Sequence, residues 1–154
     1  ILSGYVFELI KQKKADDADK KDKSDTYEAL QDYEDRERSA LSGYTPGSIW
    51  KVTLDPTHPL AFGYPDYYYT LKQDDIIYEF MKEGGWNVGV IKKENSVAGF
   101  VGTALQPKLK DGMLFGSVQV GNGTVNLLVD NVMFRSFWEN GKLMFCNAVF
   151  LAGE

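Results

Sequence analysis

The sequence is poor in the residues that most often carry chemistry. Its 154 residues include a single Cys, Cys146, and a single His, His58. A disulfide framework and a cluster of Cys and His metal ligands are therefore excluded within this chain, and a Ser-His-Asp or Cys-His site could use only His58. The composition argues against a self-contained hydrolase.

Long apolar runs and basic clusters are also lacking. Lys, Asp, Glu, Asn or Gly interrupts every apolar run before it reaches eighteen residues, which excludes a membrane-spanning helix. The net charge is −5, from 17 Lys and Arg against 22 Asp and Glu. Binding to a nucleic-acid backbone requires concentrated Lys and Arg, so we expect no nucleic-acid partner.

The length predicts one domain, residues 1–154, with its own core. Apolar residues spaced by three and four predict a helix over 1–10. The stretch at about 11–25 is rich in Lys, Asp, Ala and Ser, and this composition predicts a charged, solvated or mobile segment. A second, highly charged helical pattern follows from Ser24 to Ala40. The chain starts without Met, and we expect it to be a piece of a longer protein.

Several short strands follow the helical region. Alternation and turn residues predict strands at 48–54, 67–71, 87–91, 97–101, 116–120 and 124–129. Gly121-Asn122-Gly123 predicts a tight hairpin, since Asn-Gly accepts the positive φ angles of such turns. An apolar segment from Val132 to Leu151 predicts a short helix and a longer terminal helix, divided at Asn140-Gly141.

This order of elements predicts an α/β fold, with a sheet flanked by helices. A flavodoxin-like, doubly wound parallel sheet begins with alternating strands and helices, and the N-terminal half of that alternation is absent here. The sequence therefore predicts the later part of a larger α/β domain.

Two candidate catalytic residues have simpler structural roles. His58 lies between Thr57 and Pro59 at a strand exit, and position 61 is Ala, so the His-x-x-Glu metal pairing is absent. We expect His58 to order its loop by bonding to backbone. Cys146 lies in an apolar helical run without the strand-to-helix elbow of a nucleophile, which predicts a buried small hydrophobe.

Two other groups are candidates for binding. Tyr64, Tyr67, Tyr68 and Tyr69 are dense enough to form either a packed loop over the sheet edge or an aromatic contact surface for a glycan, a peptide or a neighbouring domain. Asp130 and Arg135 follow a strand, where open α/β sheets bind ligands. They could orient a carboxylate or a metal-bound water, or Asp130 could cap a helix and pair with Arg135.

Six short motifs occur in order along residues 43–150. They are Pro46-Gly47-Ser48-Ile49; Asp55 with His58-Pro59-Leu60-Ala61-Phe62-Gly63; Ala98-Gly99-Phe100-Val101-Gly102; Gly121-Asn122-Gly123-Thr124-Val125; Asp130 with Phe134-Arg135-Ser136-Phe137-Trp138; and Asn147-Ala148-Val149-Phe150. Together they resemble the C-terminal region of the large carboxypeptidase A-like zinc metallopeptidases of Bacteroidetes. In that family the region follows the catalytic domain and has a class I glutamine amidotransferase-like fold.

The resemblance implies a non-catalytic accessory domain, whose partner is the peptidase domain of the same polypeptide. The zinc ligands and the catalytic Glu of the family belong to that other domain, so no cofactor is expected in this chain and zinc is expected in the parent hydrolase. It also implies a secreted protein, periplasmic or extracellular. The alternative is a glycan- or peptide-binding module that uses the Tyr64–Tyr69 loop with Asp130 and Arg135.

Overall fold

The structure is a computed structural model that describes residues 32–93 and 95–153. The helix predicted at 1–10 and the segment predicted at about 11–25 lie outside the described residues. The described helices are α1 (Arg36–Ser42) and α2 (Glu139–Phe150), and the strands are β1 (Gly47–Leu54), β2 (Tyr67–Lys72), β3 (Gly85–Ile91), β4 (Ser96–Phe100), β5 (Gly112–Val120) and β6 (Gly123–Leu128). None of the helices in this part of the chain is long and apolar enough to cross a membrane.

The strands form one curled sheet with the order β2-β1-β3-β5-β6. Every pairing between these strands is antiparallel. The α/β class is therefore correct, but a flavodoxin-like or amidotransferase-like parallel sheet is not. A parallel pair needs a long crossover, whereas Gly121 and Asn122 alone connect β5 to β6.

β3 and β4 run in the same direction along one side of β1. The end of β3 pairs with Thr53 and Leu54, and β4 pairs with residues 47–50 of β1. Between them, the Lys51 amide donates to the Asn95 carbonyl at 2.7 Å. The chain therefore keeps its direction from β3 to β4, and these two strands do not form a hairpin.

The hairpin predicted at Gly121-Asn122-Gly123 is confirmed. Val120 pairs with Gly123, so Gly121 and Asn122 are the two loop residues. The positive φ of 61° belongs to Gly121. Glycine at the first loop position is typical of a type II′ turn, so the required backbone freedom comes from Gly121 rather than from the Asn-Gly pair.

The core lies between one face of the sheet, the loop after β1, and α2. Its largest buried side chains include Trp50, Tyr68, Phe115, Leu60, Ile91, Leu114 and Met144. α2 packs on the 3-10 turn Pro59–Ala61, where the Asn147 amide donates to the Leu60 and Phe62 carbonyls at 3.1 and 2.7 Å. The side chains of Met144 and Asn147 thus fix the inner side of this helix.

The predicted division of the terminal segment at Asn140-Gly141 is wrong. Gly141 lies inside α2, and the break comes earlier, between the 3-10 turn Phe134–Ser136 and Glu139. A Cβ at Gly141 would lie 1.9 Å from the Val132 carbonyl oxygen. Glycine is needed there for the close approach of two backbone segments.

Candidate functional site

Asp130 is part of a buried polar cluster. Its carboxylate accepts a hydrogen bond from the Lys72 ammonium at 2.7 Å and another from the Thr70 hydroxyl at 2.5 Å. The side chains of Lys72 and Asp130 are 0% and 2% exposed, and the half-exposed Asp74 carboxylate lies 3.1 Å from Lys72 Nζ. Burial raises the pKa of Asp130, and the Lys72 charge opposes that rise.

The partners of Asp130 differ from those expected. Asp130 neither caps a helix nor contacts Arg135, because Lys72 and Thr70 of β2 bind both of its oxygens. Alternation along β2 puts Tyr68, Thr70 and Lys72 on the core side of the sheet. This alternation could have predicted that Lys72 points into the core, but the strand predicted at 67–71 ended one residue before it.

Arg135 lies on the surface, in a turn. Its φ of 48° is in the left-handed region, and its guanidinium lies 5.1 Å from the centre of the Phe134 ring. Asn131 orders the start of this turn, since its side-chain oxygen accepts a hydrogen bond from the Met133 amide at 3.0 Å. The structure therefore separates Arg135 from Asp130. Because the Asp130 carboxylate is buried, a ligand cannot reach it in this conformation.

The tyrosines divide between the core and the surface. Tyr68 is buried, with its ring edge-to-face against Phe115 at 5.3 Å, so it does not belong to a contact surface. Tyr67 and Tyr69 point the other way, are 37% and 38% exposed, and lie 5.5 Å apart. The Tyr64 hydroxyl donates to the Asn140 carbonyl and accepts from the Met144 amide, which ties the loop to α2.

His58 orders its loop, as the sequence predicts. Its Nδ1 accepts a hydrogen bond from the Leu60 amide at 3.1 Å, at the start of the turn Pro59–Ala61. In the neutral ring the proton must then be on Nε2. Burial lowers the pKa of His58 below its ordinary value, which favours this neutral form, although the nearby Asp55 carboxylate opposes the shift.

This tautomer is unsuited to nucleophilic catalysis. A catalytic His donates from Nδ1 to an acidic residue and accepts the proton of the nucleophile at Nε2, and His58 has both functions reversed. The Asp55 carboxylate instead accepts from the Thr57 hydroxyl and amide at 2.6 and 3.0 Å. No contact joins His58, Asp130 and Arg135, all of which are described, so the structure does not bring these three candidates into one site.

A metal site is not evident in the described part of the chain. Within residues 32–93 and 95–153 there is no group of three or more His, Cys, Asp or Glu side chains that could hold a metal ion. What this part of the chain does present is an exposed apolar surface.

Cys146 belongs to that surface, and its predicted burial is wrong. Because α2 turns by about 100° per residue, Cys146 points away from Met144, which is buried. Other apolar side chains share this exposure. We call them the outer face of α2: Leu143, Phe145, Cys146, Val149 and Phe150. The inner residues Gly141, Met144 and Asn147 are buried, so α2 is apolar on both sides.

No protein-family model, curated protein or solved structure matches this chain. The functional inference therefore rests on the contacts and the solvent exposure of the described residues.

Proposed function

We propose that this chain is a non-catalytic accessory domain that packs against another folded domain through the outer face of α2. The observation that carries the proposal is that, from Leu143 onward, the outer face of this helix is apolar although it is exposed. A helix that is hydrophobic all round is typical of a buried position. Only one side of α2 is buried by the described chain, and a partner domain would cover the other.

The size of the exposed surface fits a contact between domains. Leu151 extends the outer face, and Phe62 lines a cavity of about 370 Å³ together with Leu151. Leu143, Phe145, Val149, Phe150, Leu151 and Phe62 are 40–74% exposed. With ~200 Å² for a fully exposed large side chain, they present on the order of 600 Å². Covering that area removes about 1,200 Å² in total, which is within the range of interfaces between domains.

The same area argues against a permanent dimer of this chain. Obligate homodimers bury roughly 2,000 Å² or more, which the outer face of α2 does not supply. Polar side chains flank it: Glu139 and Lys142 form an exposed ion pair in the first turn of the helix. An apolar centre with a charged rim is the usual arrangement of a binding surface.

From the resemblance of residues 43–150 we further propose that the partner is a zinc carboxypeptidase-like domain of the same polypeptide. The parent would be an exported hydrolase, and its zinc and its substrate site would lie outside this chain. This part of the proposal rests on the six motifs alone, since the antiparallel sheet differs from the fold that the resemblance implies.

The Tyr64–Tyr69 loop supports a glycan- or peptide-binding function less well. Burial removes Tyr68 from its surface, and Tyr64 is engaged with α2. Tyr67 and Tyr69 remain, with Lys51 Nζ 4.7 Å from the Tyr67 ring centre. Their exposed area is smaller than that of the outer face of α2.

Metal analysis and a peptidase assay test the absence of catalysis. The purified 154-residue chain, exchanged into metal-free buffer after incubation with zinc, is expected to retain no stoichiometric zinc and to leave a panel of C-terminally blocked and free peptides uncleaved. The same assays on the longer polypeptide encoded by the gene provide the positive control. One zinc per chain, or turnover that purification does not remove, would contradict the proposal.

A further inference from the structure

A cleft of about 350 Å³ lies between the loop at residues 55–59 and the outer part of the sheet. Its floor comes from three strands. Trp86 of β3 pairs with Ser117 of β5, and Gln119 of β5 pairs with Thr124 of β6. Directly paired residues, and residues two apart on one strand, share a face of a sheet. These four side chains therefore line one concave surface.

Trp86 is the most exposed aromatic group at this cleft, with 67% of its surface accessible. A tryptophan with this exposure gains little from its contacts in the folded chain, in contrast to Trp50, which is completely buried. Its indole offers a flat apolar surface next to the hydrogen-bonding groups of Gln119 and Thr124, whereas Ser117 is buried. Small-ligand sites combine an apolar surface with a few placed polar groups in this way.

The charges at the cleft select against anions. Hydrogen bonds from the Thr57 hydroxyl and amide lower the pKa of Asp55, so its carboxylate is ionised at neutral pH. His58 is neutral there and keeps its Nε2 proton, because Nδ1 is occupied by the Leu60 amide. None of the described residues that line the cleft is Lys or Arg. A phosphate, a sulfate or an acidic sugar would meet one negative charge and no positive charge.

We infer that this cleft binds a neutral sugar unit of a glycan, stacked on Trp86 and hydrogen-bonded by Gln119 and Thr124. A neutral pyranose has an apolar face of C–H groups on one side and hydroxyls at its rim, which match the indole and the polar floor. An extended peptide added to a free strand edge is the competing occupant, since β6 is an edge strand and β1 pairs with β3 only at Gly89 and Val90. A peptide array tests it. The cleft adjoins the docking surface, because Thr57, His58 and Pro59 also line the cavity of Phe62 and Leu151, but Trp86, Gln119 and Thr124 lie outside that cavity.

The inference is tested with a printed array of neutral and acidic oligosaccharides, next to an array of peptides. The wild-type chain is expected to bind a subset of the neutral glycans. Titration with the best neutral oligosaccharide should change the tryptophan fluorescence and shift the NMR signal of the His58 ring, which is unambiguous because the chain has one His.

Variants locate the binding in the cleft. Trp86→Ala is expected to weaken the affinity at least ~10-fold, which is about 1.4 kcal/mol, and Trp86→Phe less, since phenylalanine keeps an aromatic face for the sugar. Gln119→Ala should also weaken binding. Tyr33→Ala, which removes an exposed aromatic outside the cleft, should not. Thermal unfolding should be unchanged by Trp86→Ala, because the indole is mostly exposed.

Several results would overturn the inference. They are the absence of binding to any neutral glycan, binding restricted to acidic glycans or to peptides, and an affinity that Trp86→Ala leaves unchanged. Phe150→Glu, on the outer face of α2, should leave glycan binding intact. Failure of the docking function and failure of the glycan site are therefore distinguishable.

Discussion

Asp130→Asn is expected to lower the free energy of unfolding by about 3–5 kcal/mol, the usual effect of removing one partner from a buried ion pair. The substitution keeps the shape of the side chain and an acceptor for the Thr70 hydroxyl. It leaves the ammonium of Lys72 buried, with Asp74 as its remaining anionic partner among the described residues. Since Asp74 is half exposed and 3.1 Å away, it compensates for only part of the loss.

The effect of Lys72→Met on the free energy of unfolding is expected to change sign when it is combined with Asp130→Asn. In the native background, Lys72→Met leaves the Asp130 carboxylate buried without its counter-charge and is destabilising. In the Asp130→Asn background, the same substitution removes a buried charge whose remaining anionic partner is the half-exposed Asp74, and it is expected to be stabilising. The double-mutant cycle should therefore give a coupling energy at least as large as the cost of Lys72→Met in the native background, about 3–5 kcal/mol.

Urea unfolding followed by far-UV circular dichroism measures these changes. Glu139→Gln is the matched control, because its 2.5 Å contact with Lys142 is short but exposed. Exposed ion pairs contribute about 0–1 kcal/mol, so this control should unfold within about 1 kcal/mol of the wild type. A cost for Asp130→Asn as small as that of the control would refute the closed Lys72–Asp130 pair.

Gly141→Ala is expected to destabilise the chain by about 3 kcal/mol, although the same change stabilises an ordinary helix by up to about 1 kcal/mol. A Cβ at this position would lie 1.9 Å from the Val132 carbonyl oxygen and 2.7 Å from its carbonyl carbon. Both are backbone atoms, so the clash cannot be relieved by a rotamer change. Forcing α2 away from Val132 carries the cost of an overpacked core.

Gly43→Ala is the control for this substitution. Gly43 has a φ of −97°, and nothing lies within 4 Å of a Cβ built there. Its replacement should change the free energy of unfolding by less than about 0.5 kcal/mol. The result that would contradict the packing of α2 on Val132 is a Gly141→Ala variant that is as stable as the wild type, or more so, in the same urea titration.

The sequence predicted the strands better than their arrangement. All six predicted strands exist, because β-branched residues, alternation and Gly or Pro turns act locally. Five have their ends within two residues of the prediction, whereas β5 begins at Gly112, four residues before its predicted start. Parallel or antiparallel pairing depends on distant partners. β3 and β4 lie in line along β1 because each pairs with a different part of that distant strand, and no local pattern encodes such pairing.

The sequence predicted the terminal helix without indicating which of its sides is buried. Apolar residues occur all along 132–151, so periodicity could not tell which side meets the core. Packing around Gly141 decides this, since the small residue permits the close approach that buries Met144 and Asn147. Cys146 is consequently exposed, although its apolar neighbours in sequence suggested burial.

The candidate site was partly predictable. The turn after His58 could be inferred from the Pro and the loop composition. The Lys72 partner of Asp130 lies 58 residues away in the sequence and required the fold. Trp86 was missed because the predicted strand began one residue later, at Asn87. In addition, the irregular pairing between Asn87 and Gly89 breaks the alternation that would have placed Trp86 on the cleft side.

The reactivity of Cys146 with 5,5′-dithiobis(2-nitrobenzoic acid) tests the docking of α2 most directly, because Cys146 lies in the outer face of this helix. The rate is measured in the 154-residue chain and in the longest polypeptide that the gene encodes, each against its Cys146→Ser variant. Docking predicts that Cys146 reacts fast in the isolated chain and at least ~10-fold more slowly in the longer polypeptide. Phe150→Glu in the longer polypeptide should remove that protection. Equal rates in the two polypeptides, a reading frame with no further domain, or a homodimer that itself protects Cys146 would contradict the account.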